Sequence, residues 1–190
     1  MIGAGPIAAT IINYLFASGW KITEFLVCDL VHSRAEALAA DLSRRGSQVA
    51  VAATPQETIR GAEVVVFATT AGKPYLNDPR LFSSEQTVLH VSLRDLGVPV
   101  VLEAQNVVDD VDHALKAQTS LHLAELELGH RGFVAGTISH LISGVLKPDL
   151  TRPRIFSPFG LGVLDLALSR FLYDCATSSG DIICIEDFFG

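Results

Sequence analysis

The sequence predicts an α/β fold, a doubly wound parallel sheet of the Rossmann type. Two observations carry this. Short apolar, β-branched runs alternate with helix-like segments along the chain, the pattern of a parallel sheet covered on both faces. The chain also opens on MIGAGPIA, in which Gly3, Gly5 and Ala8 form a G-x-G-x-x-A turn leading into a helix. Composition agrees. Of 190 residues, 49% are hydrophobic and 18% charged, enough apolar material for a core and too little charge for disorder.

The elements follow in order. Pro6–Ser18 reads as a helix with Pro in its first turn and Gly19 closing it. Glu24–Asp29 is a short strand ending in an acid, Arg34–Arg45 a helix closed by Gly46, and Gln48–Ala53 a strand. Thr54 caps a short helix, with Pro55 first and Glu57 third. Glu63–Thr69 is a strand by its β-branched content, and Thr87–Ser92 and Val100–Ala104 are two more. Asp109–Lys116 begins a helix whose acids suit the positive end of its dipole. Leu121–Leu128, Ile138–Ser143 and Gly160–Ala176 read as helices, and Ile182–Glu186 as a closing strand. Lys147–Arg154 is the nearest candidate linker. The domain reading is a dinucleotide-binding domain over 1–176 and a tail over 177–190.

Several function classes are excluded. The net charge is −7 and no Lys/Arg cluster is present, which argues against nucleic acid. The apolar runs are too short to span a membrane. The first sixteen or so residues lack the basic leader of a secretory signal. Three cysteines without C-x-x-C fit a reducing cytoplasm and give no zinc motif. The histidines lack ligand spacing, so no metal site is assigned, and Ser92 and Ser157 have no nucleophile-elbow context.

The glycine turn defines a cofactor site. One glycine makes the turn, one lets backbone approach a pyrophosphate, and the small Ala8 lets helix and strand pack. The phosphates sit on the free amides of the helix start, with Pro6 and Ile7 in its first turn. Asp29, at the end of the next strand, is placed to bond ribose hydroxyls and to repel a 2′-phosphate. NAD is therefore expected ahead of NADP, although Arg34 is close enough to keep NADP open. Thr69 and Thr70 end a strand where small hydroxyl residues would line the nicotinamide side, with Ser92 at the end of the next one; a plain Gly/Pro loop is the alternative for Thr69–Pro74. Asp95, just beyond Ser92, is either a proton-moving carboxylate beside the nicotinamide or half of a surface Arg-Asp turn. Arg94 either binds an anionic substrate or pairs with Asp95.

GAGPIA, TTAGKPYL, HVSLRDL, QNVVDDVDHA, SLHLAE and RPRIFSPFGLGVLDLA together resemble the ornithine cyclodeaminase/μ-crystallin family, and most closely its branch in 2,3-diaminopropionate biosynthesis. That resemblance implies an NAD-dependent dehydrogenase that oxidises the secondary amine of N-(1-amino-1-carboxy-2-ethyl)-glutamate, giving 2,3-diaminopropionate for siderophore or antibiotic assembly, and 2-oxoglutarate. It implies that Asp95 is the acid near the substrate amine. It also implies that Phe159 and Gly160 face the nicotinamide, with Asp165 in the helix that follows. The chain has SLRDLGVPV where cyclodeaminases proper have a G-A-D-x-P-G-K-x-E segment, so cyclodeaminase, alanine dehydrogenase or ketimine reductase activity stands as an alternative, as does a catalytically silent binding module. Family members carry a further domain before the glycine motif, which grips substrate and forms a dimer. The expectation is therefore a chain that starts inside its first strand, exposes its neighbours' edges, and depends on a substrate domain, a partner chain or a homo-oligomer.

Overall fold

The computed structural model describes residues 1–183, 185 and 187. The strands are β1 (Glu24–Val27), β2 (Gln48–Val51), β3 (Val64–Phe67), β4 (Thr87–His90), β5 (Gln105–Val108), β6 (Val134–Thr137) and β7 (Arg154–Ser157). The helices are α1 (Pro6–Ala17), α2 (His32–Arg44), α3 (Pro55–Arg60), α4 (Val98–Glu103), α5 (Val111–Ala114), α6 (Ser120–Leu128), α7 (Ile138–Ile142) and α8 (Gly162–Ser179). Two units divide the chain, Met1–Phe159 and Gly160–Gly190. The second unit takes in α8, which ends on Gly180 in the left-handed conformation at φ +77°.

The first unit is a Rossmann-type parallel sheet. One row pairs β1 with β2, and the other runs β3–β4–β7–β5–β6, with every pairing parallel. Ile2 joins the rows by bridging Cys28 on one side and Phe67 on the other. The Ile2 amide donates to the Val66 carbonyl at 2.8 Å, and the Ile2 carbonyl accepts from Ala68 at 2.8 Å. Where open strand edges were expected, the three residues Met1–Gly3 thus supply a central rung, and Met1 and Ile2 are both buried.

Alternation along β3 shows how both faces are covered. Val66 packs with Ile12, Val27 and Leu38 beneath α1 and α2. Val65 and Phe67 point the other way, into a cluster with Ile59, Val88 and Ile155. This is why β3 reads as a continuous apolar run.

Four expectations are corrected. Val100–Ala104 is the helix α4, not a strand. Pro99 sits in its first turn, and Val100 and Val101 bury into two different clusters, so tertiary packing overrides β-branched propensity. The strand follows instead at β5, where Asn106 is fully buried and donates to the carbonyls of Val101 at 2.6 Å and Phe133 at 3.1 Å. The candidate linker Lys147–Arg154 leads directly into β7, an interior strand paired with both β4 and β5. Its loop is stapled by Gln105, whose Nε2 donates to Lys147 O at 2.9 Å and whose Oε1 accepts from Asp149 N at 2.8 Å. The helix expected over Asp109–Lys116 shortens to α5, capped by Asp110. Of the expected strand Ile182–Glu186, positions 182, 183 and 185 form no strand, and Cys184 and Glu186 lie outside the described residues.

Candidate functional site

Of the expected site residues of the first unit, Gly3, Asp29, Thr69, Ser92 and Phe159 each follow the carboxyl end of a strand or of the Ile2 rung, the side on which open α/β sheets bind ligands. At the Ile2 end, Gly3 adopts φ +93°, and a Cβ there would meet Ala68 O at 2.3 Å. Only glycine fits. Gly5 differs: it is extended at φ −83°, and a Cβ would meet nothing within 4 Å. It is the N-cap of α1 and makes no side-chain cap hydrogen bond. By helix geometry the first-turn amides of Ile7 and Ala8 have no partner within the helix, and Pro6 has no amide to satisfy. The space at Gly5 is therefore an open cradle facing the positive end of a 12-residue helix. Ala8 is fully buried in the core below it.

Asp29 borders this cradle. Its Oδ2 accepts from the Ala4 amide at 2.7 Å and its Oδ1 from the Val31 amide at 2.8 Å. The carboxylate is thereby fixed to the glycine turn, and each oxygen keeps a lone pair for another donor. Arg34 follows in α2, its amide bonded to Val31 O at 2.8 Å and its side chain exposed.

At the other end of the edge the groups are side chains. Asp95 has no exposed surface, and both its oxygens are taken. Oδ1 accepts from the Thr69 hydroxyl and, at 3.1 Å, from the Tyr75 hydroxyl. Oδ2 accepts from Ser92 Oγ at 2.5 Å and contacts His90 Nε2 at 3.1 Å. The Asp95 carbonyl also accepts from the amides of Tyr75 and Leu76, both at 3.1 Å. Burial alone would push the carboxyl pKa up; hydrogen bonds from His90, Ser92 and Thr69 outweigh it and hold the pKa below the usual range. Tyr75 moves the other way, its pKa raised by burial and by the Asp95 charge.

Asp95 is thus an interior hub. It ties the loop after β3 to the end of β4, so Thr69 and Tyr75 belong to a held structure rather than a plain turn. The surface Arg94–Asp95 pair is absent among the described residues. Arg94 Nη2 instead donates to Ala117 O at 2.9 Å, bracing Ala117 and Gln118, which both have positive φ. Thr70 is exposed beside Thr69. Beyond β7, Ser157, Pro158 and Phe159 wall a cavity of about 10 Å³ together with His90, Ser92 and Leu121. The Phe159 amide donates to Asp109 Oδ2 at 2.9 Å, which ties the ends of β5 and β7. Gly160 opens the second unit with φ +114°.

Sequence reasoning missed His90, Tyr75, Ser157 and Asp109. His90 and Ser92 carry a usable signal: two positions apart at a strand's end, they face the same side, with an acid three residues on. Ser157 lies 67 positions from His90 and gives no local signal.

A glycine turn at a helix start, an acid closing the next strand and a parallel sheet define a dinucleotide-binding domain of the Rossmann type. Residues 1–115 match the shikimate / quinate 5-dehydrogenase family, and the chain belongs to that family. No curated protein matches it. Among solved structures it is similar to the Δ1-pyrroline-2-carboxylate reductase of Thermococcus litoralis in complex with NADH and L-proline (TM-score 0.84, 21% identity, 94% of this chain and 58% of that one). It is also similar to an archaeal alanine dehydrogenase dimer with bound NAD (TM-score 0.86, 22% identity, 98% and 59%). A third similar structure is CmnK (TM-score 0.82, 28% identity, 100% and 57%). The chain spans less than three-fifths of the length of each.

Proposed function

We propose that the chain is the cofactor-holding part of an NAD-dependent oxidoreductase acting on the CH–NH bond of an amino acid. The observation that carries this is the open cradle at Gly5 with the Asp29 carboxylate bonded to the amide of Ala4, inside the same turn. In this reading Gly3, Gly5, Pro6, Ile7 and Ala8 hold the pyrophosphate. Asp29 takes the adenosine ribose and disfavours a 2′-phosphate, with Arg34 beside it. The other half of the cofactor then runs away from Asp29, toward Thr69, Thr70, Ser92 and Phe159. When bound, NAD supplies a hydride acceptor.

The residues at the nicotinamide end serve an amine substrate, and Asp95 is assigned to its proton chemistry. Oxidation removes a hydride from the carbon and a proton from the nitrogen; water then adds across C=N and releases a ketone and an amine. The alanine and L-proline named for the similar structures support an amino-acid substrate class. Within it, the resemblance to the ornithine cyclodeaminase/μ-crystallin family favours the 2,3-diaminopropionate branch and N-(1-amino-1-carboxy-2-ethyl)-glutamate. A substrate domain, a partner chain or a second copy completes the site in this reading, and the reducing cytoplasm is its setting. No helix among the described residues is long and apolar enough to cross a membrane.

The test offers the purified chain NAD with the glutamate adduct, L-alanine, L-ornithine and L-proline in parallel, and follows NADH formation. Turnover of the adduct alone supports the diaminopropionate branch, and turnover of another amino acid moves the reading to that activity. The arms are repeated with a substrate domain supplied, and binding of NAD without turnover in any arm even then leaves the silent module.

A further inference from the structure

We propose that Asp95, His90 and Ser157 form a proton relay that makes the Ser157 hydroxyl oxygen the proton acceptor of the small cavity between the ends of β4 and β7. This rests on the amine-oxidising reading above and gives it a base.

Asp95 cannot meet a substrate directly, because it is fully buried and four side-chain groups already fill its oxygens. His90 is only 2% exposed, with its ring edge-on to Phe67. Its two ring nitrogens face opposite ways: Nε2 lies 3.1 Å from Asp95 Oδ2, and Nδ1 lies 3.3 Å from Ser157 Oγ. Ser157 is half-buried and lines the cavity, which has room for about one water or one small polar group.

The directions of the hydrogen bonds follow from the network. An ionised carboxylate only accepts, so His90 Nε2 carries a proton toward Asp95. The Asp95 amide also lies 3.4 Å from Nε2, but the shorter, charge-assisted contact prevails. Nδ1 is then bare and accepts the Ser157 O–H. The Ser157 oxygen keeps its lone pairs for the cavity. When the ammonium group of a substrate is brought to the mouth of this cavity, within reach of Ser157, its N–H bond breaks and the proton passes to Ser157 Oγ. The original Ser157 O–H breaks in turn, and that proton passes to His90 Nδ1. The amine keeps the electron pair, which then assists loss of hydride from the adjacent carbon. The imidazolium so formed faces the Asp95 carboxylate. Ser157 touches the substrate, while His90 and Asp95 act through it.

The test begins with a readout that needs no turnover. The chain has six histidines. ¹⁵N-histidine spectra of the full chain, assigned with His90→Gln, give the His90 tautomer. The expected result is protonated Nε2 and a hydrogen-bonded, unprotonated Nδ1, with Ser157→Ala moving the Nδ1 resonance toward the free-nitrogen position while Nε2–H persists. A proton on Nδ1, or an Nδ1 signal indifferent to Ser157→Ala, overturns the relay. In the amine-oxidising assay, Ser157→Ala should lower kcat about a hundredfold with KM little changed, and Ser157→Thr should restore most of it. Full kcat in Ser157→Ala overturns the relay alone and leaves the dehydrogenase reading standing. The expected tautomer in a chain that binds no NAD and oxidises no amine overturns that reading, and the catalytic use of the relay with it.

Discussion

At the Gly3–Asp29 end of the sheet edge, a ligand is offered backbone amides, empty space and one carboxylate bonded to the backbone. At the Asp95 end it is offered side-chain hydroxyls and an imidazole backed by a buried carboxylate. The first end is made of residues close in sequence, and its function depends on what is missing: a Cβ at Gly3, a side chain at Gly5. The second is made of residues from four separate segments, around Thr69–Tyr75, His90–Ser92, Asp95 and Ser157, and depends on what is present. One end holds by fit and the other by a satisfied polar network. Substitutions should therefore fail differently at the two ends.

The largest effect is expected at the hub. Asp95→Ala strips the acceptor from buried His90 and Ser92, half-buried Thr69 and the hydroxyl of the more exposed Tyr75, and should cost about 3–5 kcal/mol in urea unfolding, enough to unfold much of the chain. A cost below about 1 kcal/mol would mean that the network does not hold this end together. Next comes Gly3→Ala, where a left-handed backbone and a contact with Ala68 O combine. It should destabilise by at least about 1–2 kcal/mol, measured the same way.

Gly5→Ala sharpens the contrast within a single motif. Nothing lies within 4 Å of the new Cβ and φ is ordinary, so stability should change by less than about 0.5 kcal/mol. Affinity for NAD should nevertheless fall at least about tenfold, because the methyl enters the cradle. Equal losses of stability in the two glycine variants would erase the distinction drawn between them.

The smallest effect is a slope. Asp95 has a lowered pKa in the folded chain, so below the ordinary Asp value of about 3.9 the unfolded state binds more protons. The stabilisation is present above that pH and is lost as pH falls from there through the lowered folded-state value. Stability measured against pH should decline less steeply over that window in Asp95→Asn than in the unsubstituted chain. Identical slopes would show that the Asp95 pKa is the same in the folded and the unfolded chain, and a steeper decline in Asp95→Asn that it is raised rather than lowered by folding.

The same contrast explains what could be read from the sequence. The glycine turn, α1, β1 and Asp29 are legible because each is specified by local chemistry: a turn, a helix start, a strand end. The buried run of β3 is legible for the same reason. Val100 and Val101 mislead because their burial in α4 comes from clusters on either side, and β-branching records only that they are apolar. Gln105 and Asn106 hide β5, since two amides look like loop residues until the carbonyls of Lys147, Val101 and Phe133 are brought to them. β7 is hidden by its flanking RPR and by its insertion between strands that precede it in the chain. Asp95 stands out by its position after a strand, and His90 and Ser92 are within local reach of it, but its role as an interior acceptor also needs Thr69 and Tyr75, which no local pattern joins to it.

The most direct measurement is a calorimetric titration of the folded 190-residue chain with NAD and, separately, NADP, beside the Gly5→Ala variant. Saturable binding of NAD, tighter than NADP and weakened in Gly5→Ala without loss of stability, is the predicted result. A folded chain that binds neither dinucleotide, or binds them equally well with Ala substituted for Gly5, would contradict the account.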